Sequence, residues 1–461
     1  MTAAIELNYM RKAAATVAIA LATGLTMTGC KGISTAEERQ AHIESKAVGE
    51  MFQSQRPYLE PLTADSGLEV FLQFAMLNHP QVEAAYYDWA ASVERITVER
   101  SLPDPKLTFQ AYIQNVLTSL MPGLMMDFPG PGKLGARAAV ASAESRAKYF
   151  QFESSVLQTA FAVKKAYYPL HFLTEKIRVN RQTLALLADL EKLARSQNEV
   201  GKATLQDVLR AQIEEERLRT EIANLEDSRR LLTAQFKATL GLTANEADPP
   251  LPQKFEFTRM KLSDEELFAT ALARNPRLKA MEAEIRLAEA NLQLAHKNKA
   301  PDFSAGLQAE VYTPPFYWPQ ASMTLPIWRD KIAAGIAAAH NNQRAAQARL
   351  SAEQIVLAVD FAEKTFMIRE ANRQLELLRE RLLPRARQSL EVSRGAYRSG
   401  QVDFLNVIDA QRTLLGMQLE EIAMQTQREV SLAELALIIA GQAPTDAPLM
   451  KTQPAITKPS R

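Results

Sequence analysis

The sequence is internally duplicated over most of its length. Five short segments each recur once, in the same order, at separations of 196 to 200 residues. The longest covers twelve residues and begins at Gly201 and again at Gly400. The other four pairs are Asn78-His79-Pro80 with Arg274-Asn275-Pro276, Leu102–Pro105 with Ala300–Phe303, Phe128-Pro129 with Leu325-Pro326, and Leu240-Gly241 with Ala440-Gly441. We therefore expect two similar halves, at 66–241 and 264–441, joined by a proline-containing linker at 242–263.

Each half has the same predicted order of elements. A helical segment (66–101 and 264–299) precedes a stretch of alternating residues, a very long helical segment (133–199 and 330–398) and a last helix. Each long segment contains a proline, which is expected to kink it. In the first half, the last helix has apolar residues three to five positions apart, which predicts one apolar face. These residues are Leu205, Leu209, Ile213, Leu218, Ile222 and Leu225.

Apolar and polar residues alternate in two stretches of each half, where strands are expected. The apolar positions are Leu107, Phe109, Ala111, Ile113, Leu124, Met126 and Phe128 in the first half, and Phe303, Ala305, Leu307, Ala309, Val311, Ala321, Met323 and Leu325 in the second. Alternation over about ten residues is typical of transmembrane barrel strands, which have one apolar and one polar face. An ordinary hairpin that caps a helical domain has the same pattern, so the alternation alone leaves both structures open.

Neighbouring residues and geometry favour the barrel. Phe316, Tyr317 and Trp318 lie beside the alternating stretches and suit the boundary between membrane and water. A sheet in lipid must close, and four strands cannot close around a lumen, whereas three chains would supply twelve strands. The predicted fold class is mainly α with a small β portion. It combines a long-helix α-barrel with a transmembrane β-barrel assembled from a trimer, with four strands per chain and two structural repeats. The helical stripes alone would favour a soluble bundle or coiled coil.

The N-terminus has the features of a secretory signal. Arg11 and Lys12 precede the apolar run Ala13–Leu25, which is shorter than a membrane span. The run ends in Met27-Thr28-Gly29-Cys30, which resembles the lipobox of bacterial lipoproteins. That resemblance implies a signal peptide at 1–29 and lipid attachment at Cys30; the alternative is a signal peptide that ends near a cysteine by coincidence. An extended segment is expected at 30–65 and a disordered tail at 442–461.

Several function classes have no support in the composition. The 54 basic and 53 acidic residues nearly cancel, so no basic surplus indicates a nucleic-acid partner. The single cysteine and five scattered histidines form no metal-binding motif, and no nucleophile–base pairing indicates an enzyme. The segment Gly130–Leu134 lacks the spacing of a phosphate-binding loop and is expected to lead from a strand into the long helix. We expect no cofactor and no metal.

The duplicated order of helices and strands resembles the TolC-type outer-membrane factors, over residues 68 to 441. This resemblance implies a homotrimer in the Gram-negative outer membrane, anchored in membrane lipid through Cys30, with helices that extend into the periplasm. It also implies a passive exit duct that works with a periplasmic adaptor and an inner-membrane pump of the RND type. The competing interpretation is a lipid-anchored periplasmic adaptor or coiled-coil scaffold protein.

The resemblance also assigns roles to individual residues. The turns that would contact the adaptor are Val200, Gly201, Lys202 and Ala203 in the first half and Ser399, Gly400, Gln401 and Val402 in the second. The two glycines would also serve as ordinary helix caps. Asn406 and Asp409 match an acidic constriction at the periplasmic entrance, and Asp207 and Tyr397 match a latch that holds it closed. The alternative for Asp409 is a solvated helix face, where it would pair with Arg412.

Overall fold

The computed structural model describes residues 34–52, 61–114, 116–252, 263–310 and 316–439. The predicted signal peptide, Cys30, Gly441 and the tail at 442–461 lie outside the described residues, as does much of the linker.

The two halves contain the same succession of elements. After helix α1 (Ala36–Phe52), the elements of the first half are α2 (Leu68–Asn78), α3 (Pro80–Arg100), β1 (Lys106–Gln114), β2 (Val116–Phe128), α4 (Lys133–Glu199) and α5 (Leu205–Thr239). Those of the second half are α6 (Asp264–Arg274), α7 (Pro276–Lys297), β3 (Phe303–Glu310), β4 (Phe316–Met323), α8 (Arg329–Glu376), a π-helical segment (Leu377–Leu382), α9 (Leu383–Arg398) and α10 (Phe404–Ile438).

Helix α1 corrects the expectation of an extended segment at 30–65. Its residue Glu38 is 1% exposed and is paired with α3. One carboxylate oxygen of Glu38 accepts hydrogen bonds from Thr97 Oγ1 at 3.0 Å and from Arg100 Nε at 2.9 Å. A buried carboxylate is tolerated when it is paired and hydrogen-bonded in this way.

The first helical segment of each half is divided in two, where one helix was expected. The break falls at His79 and at Asn275, each followed by a proline. Both residues leave the helical region, with ψ angles of 121° and 122°. Steric conflict with the ring of a following proline disfavours helical backbone at the preceding residue, which explains both breaks.

The long helices respond differently to their prolines. Helix α4 continues through Pro169. In the second half, a π-helical segment ends at Leu382, two residues before Pro384, and Leu383 N donates to Leu378 O, five residues back. A proline cannot donate to the preceding turn, and the wider π turn accommodates the missing hydrogen bond.

The four predicted strands are present and form one antiparallel sheet in the order β1-β2-β3-β4. Three details differ from the sequence prediction. Phe316, Tyr317 and Trp318 lie within β4 rather than beside it, and Leu325 lies after its end. Strand β2 begins at Val116, well before the alternation at Leu124.

The strand registers separate the sheet into one apolar and one mixed face. Leu107 lies opposite Leu124, and Leu124 lies opposite Leu307. Directly opposed residues of antiparallel strands point to the same side, so these leucines share a face. The same registers add Phe109, Pro122, Met126, Phe128, Phe303, Ala305, Ala309, Tyr317, Pro319, Ala321 and Met323 to this face. The other face carries Thr108, Gln110, Asp127, Ser304, Gln308, Gln320 and Ser322.

The chain divides into two compact units. One comprises residues up to 49, 87–149 and 280–350, and contains the sheet. The other comprises 50–86, 150–279 and residues from 351, and contains the turn after each long helical segment. In this second unit Phe71, Tyr167 and Phe236 form an aromatic centre, with ring centroids 5.2 to 6.2 Å apart. None of the helices in the described ranges is long and apolar enough to span a membrane.

Candidate functional site

The first predicted tip is a tight turn between α4 and α5. Gly201 has a φ angle of +70°, and an added Cβ there would meet nothing within 4 Å. The glycine is therefore required by the backbone conformation and not by lack of space. Lys202 N donates to Gln197 O at 2.8 Å, and Asn198 Nδ2 donates to Ala203 O, also at 2.8 Å.

The second tip repeats this geometry between α9 and α10. Gly400 has a φ angle of +73°, again with open space around it. Gln401 N donates to Ala396 O at 2.8 Å, the counterpart of the Lys202 bond in the first tip. Ser399 Oγ donates to Ala396 O at 3.0 Å. The predicted cap role of both glycines is thus observed, and it is compatible with a contact role.

One apolar cluster packs against both tips. It brings together the ends of α4, α5, α9 and α10. Its members include Leu190, Val208, Leu390, Tyr397, Phe404 and Val407. Ala203 and Val402 pack against this cluster, while Val200, Lys202, Ser399 and Gln401 are exposed. The two tips therefore present exposed residues on a common packed base.

The two predicted latch residues are electrostatically coupled but do not hydrogen-bond to each other in the described chain. Asp207 caps α5 by accepting from Thr204 N at 3.1 Å. Tyr397 is buried against Phe404, with ring centroids 5.2 Å apart, and its hydroxyl has no hydrogen-bond partner among the described residues. Burial, and secondly the negative charge of Asp207, raise the pKa of Tyr397 to about 12.

Both predicted constriction residues are exposed near the start of α10. Asn406 and Asp409 are three positions apart and so lie on neighbouring parts of one helix face. Asp409 Oδ1 is 3.8 Å from Arg412 Nη1, the solvated pairing that was considered as the alternative. Arg412 is closer to Glu214 of α5 and donates to it through Nε at 3.2 Å and through Nη2.

The predicted apolar face of α5 is only partly buried. Leu218 and Ile222 are buried, whereas Leu205, Leu209 and Ile213 are exposed in the single chain. These exposed residues lie in the turns of α5 nearest the tip. The helical period correctly identified an apolar stripe. Within one chain, however, only the part of this stripe that is farther from the tip is buried.

The three aromatic residues do not share one environment. The register places Tyr317 opposite Ala309 on the apolar face, whereas Trp318 lies opposite Gln308 on the other face. Phe316 contacts Trp318 with ring centroids 4.9 Å apart, on that second face. Tyr317 therefore lies on the apolar face and Phe316 and Trp318 on the mixed face, and the predicted place of all three at the membrane interface stays a prediction.

One contact was not identified from the sequence. The buried Lys133 donates to Asp302 Oδ1 at 2.7 Å, and Gly130 N donates to the same oxygen at 2.7 Å. The segment Gly130–Leu134 thus leads into α4, as expected. It is also hydrogen-bonded to Asp302, the residue before β3. The recurrence of Pro-Asp at the start of each strand pair was a usable signal for this contact. No group of three metal-ligating side chains occurs in the described ranges.

Comparisons with known proteins agree with this architecture. The family model described as outer membrane efflux protein matches residues 71–242 and 267–441, one segment in each half. The pyoverdine export outer membrane protein OpmQ of Pseudomonas putida is 23% identical over 195 residues, covering 38% of this chain and 39% of that protein. The match therefore spans well under two thirds of that relative's length.

Solved structures share the fold at low sequence identity. A membrane protein from Pseudomonas aeruginosa superposes with a TM-score of 0.72 and 18% identity, covering 82% of this chain and 91% of that one. The MtrE outer membrane channel of Neisseria gonorrhoeae superposes with a TM-score of 0.68 and 16% identity, covering 84% and 94%. These neighbours are membrane proteins and channels rather than enzymes. The family match covers most of the chain, and the chain belongs to the outer membrane efflux protein family.

Proposed function

We propose that this outer membrane efflux protein is the exit duct of a tripartite system. Three copies form a passive channel that receives substrates from an inner-membrane pump, of the RND type, through a periplasmic adaptor. Family membership supports the outer-membrane efflux role, and the superposed structures support the channel fold. The relative from Pseudomonas putida is named for pyoverdine export, which supports small-molecule export as the class of activity.

The two-faced sheet is the single observation that carries the proposal. Its apolar face exposes large side chains, including Leu107, Phe109 and Leu124, each more than half exposed. A contiguous apolar patch on an isolated chain marks a surface that contacts a membrane or a partner. Lipid covers this face in the proposed duct, and the opposite face with its glutamines and serines lines the channel.

The open edges of the sheet support assembly from several copies. In the described part of the chain, strands β1 and β4 each have one neighbour, so one edge of each is unpaired there. Unpaired backbone groups cannot be tolerated in lipid, and closure between three copies satisfies them. The exposed leucines near the first tip and the exposed Ile355, Val359 and Phe366 of α8 give further apolar surface for contacts between copies.

The paired tips are the proposed adaptor contact, and the exposed start of α10 is the proposed entrance. In a trimer, three Asp409 carboxylates surround one axis, with three Asn406 amides beside them. A ring of carboxylates favours cations at short range. The lipid anchor at Cys30 belongs to the same proposal and rests on the sequence around that residue.

Two experiments test this function. An outer-membrane fraction is analysed on SDS gels with and without boiling: the duct predicts a heat-sensitive trimer, whereas a salt-extractable monomer would favour the periplasmic scaffold.

Cross-linked co-purification then tests the proposed contact between the tip and the adaptor. Lys202→Glu is expected to reduce recovery of the adaptor, and Lys192→Glu is the control, since Lys192 is an exposed lysine on α4 outside the turn. Equal recovery with both variants would contradict the tip contact.

A further inference from the structure

Three glutamine side chains form a hydrogen-bonded row across the mixed face of the sheet. They are Gln110 of β1, Gln308 of β3 and Gln320 of β4. Gln320 Nε2 donates to Gln308 Oε1, and Gln308 Nε2 donates to Gln110 Oε1 at 3.0 Å. The row has a direction, because each amide donates to the next one toward β1.

Strand β2 is crossed by this row at a glycine. Gly123 lies opposite Gln308, and an added Cβ there would be 2.8 Å from Thr108 Oγ1 and 3.1 Å from Gln308 Cγ. Gln308 uses this space to reach β1, and its Nε2 also donates to Met121 O at 3.2 Å. A larger residue at position 123 would close the path.

The row ends in complementary unused groups at the two edges of the sheet. Among the described residues, the Gln110 amide nitrogen has no acceptor and the Gln320 amide oxygen has no donor. One edge strand therefore offers a donor and the other an acceptor. A second copy of the same chain, joined edge to edge, would supply the missing partner at both ends.

The internal repeat specifies the register of that joint. Within the chain, β2 pairs with β3 so that Gly123 lies opposite Gln308. Using the recurrence offsets, the counterpart of Gly123 is Gln320 and the counterpart of Gln308 is Gln110. If β4 pairs with β1 of the next copy as β2 pairs with β3, Gln320 lies opposite Gln110 of that copy.

A charged contact at the ends of the strands points to the same register. Lys133 is the first residue of α4 and binds Asp302, just before β3. In the second half, Arg329 is the first residue of α8, and the counterpart of Asp302 is Asp104, just before β1. Both residues are exposed, and neither side chain has an ionic or hydrogen-bonding partner in the described ranges. Their charges are complementary.

We propose that the edges β4 and β1 of neighbouring copies join with Gln320 opposite Gln110 and with Arg329 paired to Asp104. The glutamine rows then connect head to tail into one closed belt of neutral amides around the channel. This inference rests on the proposed trimeric duct and adds the register and the residues that close it.

Disulfide trapping in the full-length protein tests the register. In Gln110→Cys/Gln320→Cys, the two positions of one chain are three strand spacings apart, ~14 Å, which is too far for a disulfide within the chain. Oxidation is therefore expected to shift the boiled, unreduced protein to covalent dimers and trimers. Lys106→Cys/Gln320→Cys, displaced by four residues or ~13 Å along the strand, is the control. The single variants reveal any product that involves Cys30.

The outcomes separate this inference from the proposed function. Cross-linking of the 110/320 pair and not of the 106/320 pair supports the register. A heat-sensitive trimer without the 110/320 cross-link overturns the register and leaves the duct intact. Protein that remains monomeric overturns both the register and the proposed function.

A second measurement tests the ion pair by charge reversal. Asp104→Arg is expected to lower the dissociation temperature of the trimer, and the double variant Asp104→Arg/Arg329→Asp is expected to restore it. A double variant that does not restore this temperature would contradict the ion pair.

Discussion

Arg412 and Glu214 form an ion pair between the two halves of the chain, near the tip ends of α10 and α5. Arg412 Nε lies 3.2 Å from Glu214 Oε2, and the two residues are 198 positions apart in the sequence. Arg412 is about half exposed in this pair, and ion pairs at a protein surface contribute only about 0.2–1 kcal/mol to folding. Its position between α5 and α10 makes it better suited to hold the tips together than to stabilise the whole chain.

We predict that Arg412→Gln raises the time that the proposed duct spends open, because it removes the ionic link between the halves. The control is Arg379→Gln, which breaks a pair with Glu421 inside the second half at 2.6 Å. Single-channel recording in planar bilayers measures the open fraction. The same open fraction in Arg412→Gln and in the control would contradict a holding role.

The same pair predicts a specific pH dependence. The hydrogen bond from Arg412 lowers the pKa of Glu214, opposed by partial burial. A carboxylate with a lowered pKa contributes stability above its ordinary value of ~4.3, and this contribution is lost as the pH falls through the lowered value. The open fraction attributable to this pair is therefore expected to stay constant from pH 7 to pH 5. If the open fraction of the wild type rises between pH 7 and pH 5 while that of Glu214→Gln does not, this pH dependence is contradicted.

The tip glycines should tolerate substitution poorly. Gly201→Ala and Gly400→Ala place a Cβ on residues with φ near +70°, which costs about 1–2 kcal/mol each. Gly395→Ala is the matched control: this glycine lies within α9 with open space around it, and alanine there is expected to stabilise the helix by ~0.5–1 kcal/mol. Thermal unfolding distinguishes them, and destabilisation by all three changes would contradict the backbone explanation.

Tyr397→Phe tests the latch. The hydroxyl is buried without a partner among the described residues, so its removal is expected to maintain or raise stability at neutral pH. Above pH ~10 the wild type should lose stability that the variant keeps, because the unfolded tyrosine ionises near 10 while the folded one has a pKa of about 12. Thermal melts at pH 7 and pH 11 measure this difference. A loss of stability at pH 7 would instead indicate that the hydroxyl gains a partner in the assembled protein.

Asp409→Asn should weaken the cation preference of the channel. The side chain is well exposed at the start of α10, where the proposed entrance lies. Glu420→Gln is the control, because it removes the same charge from an exposed position three turns further along α10. Reversal potentials in a salt gradient measure the preference. An unchanged potential in Asp409→Asn would reject its role at the constriction.

The sequence predicted the helices, strands and turns better than the breaks within the helical segments. The duplication and the alternation correctly indicated two halves and four strands, and the positions of Gly201 and Gly400 correctly indicated two tight turns. The breaks at His79 and Asn275 were missed, although each residue precedes a proline, which disfavours helical backbone there.

Contacts between the halves were beyond the sequence pattern. Glu214 with Arg412 and Gln110 with Gln308 are each separated by 198 positions, and their meeting depends on helix packing and strand register. The facial position of Trp318 also follows from register alone, since a shift by one residue exchanges the two faces of a strand.

Conductance of the purified full-length protein in planar bilayers tests the central claim most directly. Protein from the outer membrane is added before and after boiling, so that the assembled and dissociated forms are compared at the same concentration. The account predicts discrete, long-lived conductance steps from the unboiled trimer and none from the boiled monomer. An unboiled trimer that inserts without conducting in any recording, including those of Arg412→Gln, would contradict the assignment as a duct.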